Sequence, residues 1–478
     1  MLIANHSKKY ALLSFFKVND PFRVFGIILL LGVLRLPYIL MDIPLLSPEL
    51  MWMLTGERMA SGYHMYVDII DDNGPFSAGV YWVIDLIVGR SLLAYHLIAA
   101  AVILFQIMYV NHLFIQYKSF DDNTYLPALV MGVLFHLSFD FLTLSPALMG
   151  TTFIILALGR LFSLTLLNQE STESVLMVGV YGGIAACFHF PMVFFLPFLV
   201  LAGIIVSGFS FHQLILSLVG YLQPLVLCAL YYFWIDGLSD FILEFIFATR
   251  IIESYQYVTY LDIIVLFVVP IGFALSGFFM SSVLQRHTVN QQKQQQLMLI
   301  FLVFAVFALF LANRRNPYQL VVLLPGLTYF ITQIFIYVER KVVLKSFFYG
   351  FLISVPLVGY SWTLYKINTE TIYTYAIRND SKYDAFKSKE IVVLGADIGY
   401  YQNATLSTPF LNYNLSKRIL ADFEDFADMT NTYLQFSREK PEYIIDEEGV
   451  FQSLLIQIPA LENLYKEESK GIYKLRKS

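Results

Sequence analysis

The segment "SPELMWMLTGERMASGYHMYVDIIDDNGPF" (residues 47–76) is acidic and rich in turn-forming residues, and it separates the first two strongly apolar stretches of the chain. Ser47 is a suitable helix N-cap, Pro48 suits the first helical position, and the Glu49 carboxylate interacts favourably with the helix dipole there. The segment therefore predicts a helix over about 48–61. It places charged and polar residues between two apolar segments.

Two glycines mark special positions in this segment. Gly56 costs about 1 kcal/mol in a helix interior. It lies on the same stripe as Glu49, so we expect another segment to approach the helix backbone there. Gly62 is expected to end the helix, and residues 63–75 to run extended into an Asp-Asn-Gly-Pro turn. Taken alone, Glu49 is either a capping or a functional carboxylate, and the turn is either a solvated connection or part of a site.

The composition is that of a membrane protein. Of the 478 residues, 58% are hydrophobic and 14% are charged, whereas soluble domains carry about 25% charged residues. The formal net charge of −5 gives no reason to expect a nucleic-acid partner. The two cysteines lie in separate apolar runs, so neither a disulfide framework nor a cysteine metal cluster is expected.

The sequence predicts a polytopic α-helical membrane protein with about 11–13 transmembrane helices of about 20 residues each. The candidate spans are 24–41, 76–93, 94–117, 124–142, 146–167, 174–190, 191–208, 213–234, 260–284, 297–312, 317–338 and 346–365. Because cytoplasmic loops carry more lysine and arginine, we expect the first loop, 42–75, to lie outside the cytoplasm, together with everything after residue 366. This requires an odd number of spans, so the count of about twelve is off by one or one segment is re-entrant.

Three regions are predicted along the chain. Residues 1–23 form a basic cytoplasmic N-terminus without the pattern of a cleaved signal peptide. Residues 24–365 form a transmembrane domain, and residues 366–478 form a small extracytoplasmic α/β domain, because charge rises and long apolar runs stop there. The strand patterns of this domain are at 389–401, 442–449 and 462–478, and one long helix pattern covers 416–441.

The loop "ANRRNPY" (312–318) contains two arginines between apolar spans. Our orientation places Arg314 and Arg315 outside, against the usual excess of positive charge inside. Arginine is the preferred partner for bidentate contacts with phosphate. Arg314 and Arg315 are therefore the candidate cations of an anion site on the outer side. The alternative is an ordinary basic flank with the topology inverted locally.

Other polar residues lie within or beside apolar segments, where they are costly and are usually paired or functional. Asp85 and Arg90 are expected to pair with neighbours, and Asp140 to line a cavity. Glu244 belongs to an amphipathic segment, 238–258, that we expect to lie on the membrane surface.

The order of these features resembles the polytopic GT-C glycosyltransferase superfamily, which includes the protein O-mannosyltransferases and the lipid A aminoarabinose transferase. Those enzymes carry an acidic pair at the start of an amphipathic helix in the first external loop, and a "G…Y-x-D…P" loop often follows. The segment 48–76 fits this pattern, with Glu49 at the second acidic position. The sequence departs from it at Pro48, where the family places its first acidic residue. A second acidic position expected near 142–153 is not visible.

The resemblance implies that a carboxylate deprotonates an acceptor hydroxyl while cations stabilise the leaving phosphate. We expect Glu49 to be this base, or one of three loop carboxylates to replace it: Asp68, Asp71 or Asp72. The candidate substrate-binding residues are Arg58, His64, Tyr66, Arg314, Arg315 and Tyr318. No metal ligand is predicted, although a divalent ion is compatible with the acidic loop.

The predicted function is transfer of a sugar from a polyprenyl-phosphate-linked donor to a glycan, lipid or protein acceptor at the outer face of a bacterial inner membrane. The expected partners are that donor, the acceptor and membrane lipid. The alternative is a non-catalytic scaffold or accessory protein of envelope assembly, which Pro48 favours. A transporter is disfavoured because no inverted repeat is visible.

Overall fold

A computed structural model of the chain describes residues 11–165, 172–248, 257–284, 286–311, 315–422 and 425–476. The chain folds into two compact units. The first unit comprises Met1–Ile43, His96–Val226 and Gln256–Thr369. The second comprises Pro44–Tyr95, Leu227–Tyr255 and Glu370–Ser478.

Helices dominate the described part of the chain before residue 370. They are α1 (Ala11–Lys17), α2 (Arg23–Leu40), α3 (Ser47–Ala60), α4 (Pro75–Val88), α5 (Leu92–Gln116), α6 (Leu126–Leu134), α7 (Pro146–Thr165), α8 (Thr172–Phe188), α9 (Phe195–Ala202), α10 (Phe211–Trp234), α11 (Leu238–Phe241), α12 (Tyr260–Leu284), α13 (Val289–Leu311), α14 (Leu324–Tyr337) and α15 (Lys341–Asn368). Short 3-10 or π segments adjoin several of them: Phe135–Leu137, Phe139–Leu142, Phe190–Phe194, Gly203–Ser207, Ile242–Ile246 and Pro317–Leu323.

Nine of the described helical segments are long and apolar enough to cross a membrane, by length and composition. They are Arg23–Leu40, Leu92–Gln116, Pro146–Thr165, Phe190–Ser207, Phe211–Trp234, Tyr260–Val283, Val289–Leu311, Pro317–Tyr337 and Lys341–Asn368. Three shorter apolar helices, Pro75–Val88, Leu126–Leu137 and Thr172–Phe188, coincide with the remaining predicted spans. Each predicted apolar segment therefore contains a helix.

The apolar helices of the first unit differ in their surroundings. Within an 18-residue apolar stretch of Pro317–Tyr337, 94% of the residues are buried. Within the 18 residues of Arg23–Leu40, only 11% are buried. The second helix exposes large apolar side chains such as Phe25, Leu29 and Leu40. An apolar helix that is buried on all sides forms a core, and one with exposed apolar side chains needs lipid around it.

The C-terminal region contains a five-stranded mixed sheet with the order β2-β1-β3-β5-β4. Its strands are β1 (Glu390–Leu394), β2 (Thr405–Leu406), β3 (Tyr443–Asp446), β4 (Tyr465–Ser469) and β5 (Ile472–Leu475), and its helices are α16 (Tyr413–Leu420), α17 (Phe426–Glu439), α18 (Val450–Gln457) and α19 (Pro459–Glu462). Strand β1 is parallel to β2 and β3, and β5 is antiparallel to β3 and β4. Buried apolar side chains such as Val392, Phe436 and Phe451 form its core.

The strands predicted at 389–401, 442–449 and 462–478 are all present in this sheet. The single helix predicted over 416–441 is wrong, because α16 and α17 are separate helices. The Asp425 side chain accepts a hydrogen bond from the Ala427 backbone N–H and so begins a new helix inside the predicted one. Residues 423–424, within the predicted helix, lie outside the described residues.

Helix α3 forms close to the predicted range, but its ends differ in detail. Its N-cap is Leu46, which makes no side-chain cap hydrogen bond, so the predicted cap at Ser47 is wrong by one residue. Gly62, with φ of +93°, follows the last turn as predicted. The loop after it is not simply extended: the Tyr66 N–H donates to the Ile69 carbonyl across a tight turn, and Tyr66 has φ of +68°.

Gly56 allows helix α4 to approach the backbone of α3 closely, as the sequence predicted. A Cβ atom at position 56 would lie 2.6 Å from the Tyr81 carbonyl oxygen and 3.3 Å from the Tyr95 hydroxyl. The Trp52 and Tyr81 rings stack beside this contact, with centroids 5.8 Å apart. The approach of α4 therefore fixes the position of the helix that carries Glu49.

We expect Gly56→Ala to destabilise the protein by about 1–3 kcal/mol, because the added methyl group meets backbone that does not yield easily. Gly79→Ala is the matched control, since nothing lies within 4 Å of a Cβ atom there and alanine is the better helix former. Thermal unfolding in detergent measures both variants. Equal melting temperatures for the two would contradict the close contact.

Candidate functional site: the first loop and the Arg315 segment

Glu49 lies in the first turn of α3 and is only 3% exposed. The start of this helix is tied to the chain after α15. The Ser47 N–H donates to the Tyr375 carbonyl at 2.9 Å, and the Ile377 N–H donates to the Leu45 carbonyl at 2.8 Å. Glu49 is therefore a buried carboxylate that directly follows a backbone segment hydrogen-bonded to Tyr375 and Ile377.

Asp71 is fully buried and accepts two hydrogen bonds from amide side chains. The Asn73 Nδ2 donates to one oxygen at 2.5 Å, and the Asn412 Nδ2 donates to the other at 2.9 Å. Backbone bonds flank this contact, because Ile70 donates to the Pro409 carbonyl and accepts from the Asn412 N–H. Asp71 thus anchors the first loop to residues just before α16.

The other two predicted loop carboxylates have different surroundings. Asp68 accepts a hydrogen bond from the His64 backbone N–H at 2.9 Å, and the His64 ring nitrogen lies 3.5 Å from the same carboxylate. Asp72 is half-buried. The loop carboxylates do not share one binding point, because Asp68 and Asp71 accept hydrogen bonds from different partners.

Tyr66 and Arg58, predicted to bind substrate, have partners within the second unit. Tyr66 is 1% exposed, and its hydroxyl donates to the Asn73 carbonyl at 2.5 Å. Arg58 is 7% exposed and forms an ion pair with Glu439. These contacts give both residues structural roles, and their predicted contact with substrate stays a prediction. His64, with its side chain 48% exposed, is open to solvent.

Glu244 is a buried carboxyl group that the sequence did not identify as part of the site. It belongs to the segment 238–258 that we expect on the membrane surface, and its own side chain is buried within the protein, at 7% exposed. Residues 249–256 of that segment lie outside the described residues. Its Oε2 has no hydrogen-bond partner within the described residues. Burial raises the pKa of Glu244 well above its usual range, and the nearby Asp240 and Asp71 carboxylates raise it further, while the Asp71 backbone N–H partly offsets this.

In the first unit, Arg315 lies at the start of the segment that leads into α14. Its guanidinium carbon is 4.2 Å from the centre of the Tyr260 ring, and its carbonyl accepts from the Val258 N–H at 3.0 Å. Its Nη1 is buried and has no acceptor among the residues that the structure describes. Arg314 lies outside the described residues.

Tyr318 and Asp140 are in direct contact in the same unit. The Tyr318 backbone N–H donates to Asp140 Oδ2 at 2.8 Å, and the Tyr318 ring packs edge-on against His189 with centroids 6.4 Å apart. Asp140 is fully buried. It lies two residues before the 142–153 segment where an acidic residue was expected, whereas the sequence predicted only that Asp140 lines a cavity.

The predicted residues fall in both units. Glu49, the three loop aspartates, Arg58, His64 and Tyr66 belong to the second unit, and Arg315 and Tyr318 belong to the first. Among the described residues, no group of three or more His, Cys, Asp or Glu side chains is arranged to hold a metal ion. The groups available for chemistry here are buried carboxylates and, in the first unit, the Arg315 guanidinium, whose Nη1 has no acceptor in the described part of the chain.

No protein-family model matches the sequence, and no curated protein matches it. Solved structures share its fold. ArnT from Cupriavidus metallidurans in the apo state superposes with a TM-score of 0.55 at 11% identity, over 94% of this chain and 97% of that chain. The chain therefore has a GT-C-like membrane fold, is divergent within it, and is a multi-pass membrane protein.

Two further structures are similar over most of this chain at lower scores. ArnT from Cupriavidus metallidurans bound to undecaprenyl phosphate has a TM-score of 0.47 at 12% identity, over 91% of this chain and 88% of that chain. The archaeal oligosaccharyltransferase AglB from Archaeoglobus fulgidus, in complex with an inhibitory peptide and a dolichol-phosphate, also has a TM-score of 0.47, at 11% identity, over 96% of this chain and 75% of that chain.

We expect Glu244 to make stability fall as pH rises. Its raised pKa means that the folded protein keeps a proton which the unfolded chain releases above about pH 4.5, so the unfolding free energy decreases with pH until the folded group also ionises. Glu244→Gln does not ionise. Its melting temperature should be close to wild type at about pH 5 and above wild type at about pH 8.

Melting curves over this pH range check the expectation, with Glu462→Gln at an exposed position as the control. A Glu244→Gln variant with the same pH dependence as wild type would show that this carboxyl group is ionised in the folded protein.

Proposed function

We propose that this protein is a glycosyltransferase that moves a sugar from a polyprenyl-phosphate-linked donor to an acceptor hydroxyl. The observation that carries the proposal is Glu49, a carboxylate only 3% exposed in the first turn of α3. It lies directly after the first apolar helix in a chain with a GT-C-like fold. Burial of a carboxylate is costly unless its environment or its function compensates.

Glu49 acts in this proposal as the general base. It takes the proton of the acceptor hydroxyl, and the acceptor oxygen forms a bond to the anomeric carbon of the donor sugar. The bond between that carbon and the phosphate oxygen breaks, and the electron pair leaves with the polyprenyl phosphate. If Glu49 does not serve, Asp68, Asp71 or Asp72 is the alternative base, and Asp71 is the least available because both of its oxygens accept amide hydrogen bonds.

Arg315 supports the phosphate part of the proposal. A buried guanidinium nitrogen without an acceptor among the described residues is costly, and a phosphate oxygen would satisfy it. Arginine is well suited to stabilise charge that develops on a leaving phosphate. Tyr260 holds the guanidinium from one face. Arg314 is proposed as a second contact from its place in the sequence, and Tyr318 and His64 as further substrate contacts.

The donor class and the location follow from the same proposal. ArnT, whose apo structure shares this fold, has also been seen with undecaprenyl phosphate, so a polyprenyl phosphate is the first ligand to test. We propose a bacterial inner membrane, with the first loop and residues 366–478 on the outer side, and a glycan, lipid or protein acceptor there.

A non-catalytic scaffold of envelope assembly is the second candidate, and Pro48 favours it. Pro48 occupies the position where the resembled family carries its first acidic residue, and it is buried in the first turn of α3. Under this alternative, Glu49 contributes only to the stability of the helix start.

We expect Glu49→Gln to lower the rate of sugar transfer about 100-fold or more, the usual contribution of a general base. Full-length protein in nanodiscs is incubated with total lipid extract from the source cells. Mass spectrometry then measures the loss of glycosylated polyprenyl phosphate and the appearance of free polyprenyl phosphate. Glu462→Gln, at an exposed position, is the matched control and should retain the wild-type rate.

Two outcomes would count against the proposal. Wild-type turnover in Glu49→Gln would refute the base assignment and transfer the role to the loop aspartates. No consumption of any lipid-linked sugar by the wild-type protein would favour the scaffold.

A further inference from the structure

A separate cleft of about 430 Å³ lies in the second unit, a volume typical of small-molecule sites. Its walls come from the second half of α3, from strands β1 and β2, and from the end of α17. They include Glu57, Arg58, Tyr63, Glu390, Thr405 and Arg438. Glu57 is eight residues beyond Glu49 on α3, about 12 Å along the helix axis, so the cleft is distinct from the start of the helix.

The cleft offers charged groups of both signs at close range. Arg58 is committed to Glu439, with both side chains nearly buried. Glu57 is 3.4 Å from Arg90 and stays 29% exposed. Glu390 and Arg438 are exposed on the cleft wall.

An anion in this cleft would meet the carboxylates of Glu57 and Glu390, and a multivalent cation would meet Arg438. A neutral ligand with several hydroxyl groups avoids both repulsions. Each hydroxyl both donates and accepts hydrogen bonds, so it satisfies carboxylates and guanidinium groups together. The charge pattern therefore favours a polyhydroxylated neutral molecule.

Two features on or directly beside the cleft wall cost folding free energy, namely a strained backbone position and unsatisfied polar groups. Thr408, next to Ser407 on the wall, is a β-branched residue with φ of +92°, and its N–H donates to Glu439 Oε2 at 3.1 Å. Its Oγ1 is buried without a partner within the described residues, and the same is true of Arg58 Nε. Strained backbone and unsatisfied polar groups of this kind concentrate at functional sites.

Tyr63 supplies an aromatic surface to the cleft. The Arg58 guanidinium carbon lies 3.4 Å from the centre of its ring. This contact orients the half-buried ring and holds it at the cleft wall. A saccharide ring presents polar edges and a C–H face, which matches carboxylates and arginine around an aromatic side chain.

We propose that this cleft binds a neutral saccharide, with its hydroxyl groups on Glu57, Glu390 and Arg438 and its C–H face towards Tyr63. The site goes beyond the proposed transfer at Glu49 and binds sugar whether or not transfer occurs. The second unit then has a lectin-like role, and the GT-C-like fold alone does not imply that role.

Saturation-transfer NMR on full-length protein in nanodiscs tests this proposal. The probes are the methyl glycosides of glucose, mannose, galactose and N-acetylglucosamine, with inorganic phosphate observed separately by phosphorus NMR. No donor lipid is added, so failure of the transferase proposal does not change the result. We expect at least one glycoside to receive saturation from the wild-type protein, and Glu49→Gln to bind it equally well.

Two kinds of variant locate the binding. Glu390→Ala/Arg438→Ala removes exposed polar groups of the cleft and should weaken binding about tenfold or more. Thr405→Trp fills the space from an exposed position on the short strand β2 without any change in charge, and should abolish binding. Glu462→Ala/Lys466→Ala removes one charge of each sign elsewhere on the exposed surface and should bind as wild type does.

Binding that is lost in Thr405→Trp and kept in the control pair, with the melting temperature unchanged, supports the saccharide site. No saturation of any glycoside, binding that persists in Thr405→Trp, or binding of phosphate in place of glycosides would overturn it.

Discussion

The second unit depends on the hydrogen bonds that join the first loop to residues just before α16. Asp71 and Asn412, 341 positions apart in sequence, are joined side chain to side chain at 2.9 Å, and two backbone bonds of Ile70 flank them. Because Asp71 is fully buried, its charge is tolerated only where such donors exist. This contact determines where the loop after α3 lies, and with it the side of α3 that faces the C-terminal sheet.

Charged residues on α3 and beside α4 reinforce that arrangement. Arg58 pairs with Glu439, and Arg90 donates to the carbonyls of Tyr401 and Ala404 while it pairs with Glu57. Removing one partner of a buried pair such as Arg58–Glu439 is far more costly than the net gain from forming it, so that contact holds a defined geometry. The proposed base, Glu49, lies at the start of α3, and the saccharide cleft lies beside the second half of α3. Both proposals therefore depend on the position of this helix.

The parts of the fold that follow from local pattern were predictable from the sequence, and the parts that depend on distant partners were not. Apolar runs of helical length and alternating strand patterns are local, so the predicted spans and strands correspond to helices and strands. The role of Asp71 depends on Asn412, and the burial of Glu244 depends on packing near Asp71, neither of which a local pattern reveals. The pairing expected for Arg90 was found, although only the structure identifies Glu57 as its partner.

The central claim, that the protein holds a polyprenyl phosphate through Arg315, is tested most directly by mass spectrometry of the lipids that co-purify with it. Wild type, Arg315→Ala and Arg286→Ala are compared, since Arg286 is an exposed arginine of the same unit. We predict a polyprenyl-phosphate species in wild type and Arg286→Ala that is lost in Arg315→Ala. Retention of only bulk phospholipid by the wild-type protein, or equal retention of the polyprenyl phosphate by all three proteins, would contradict the claim.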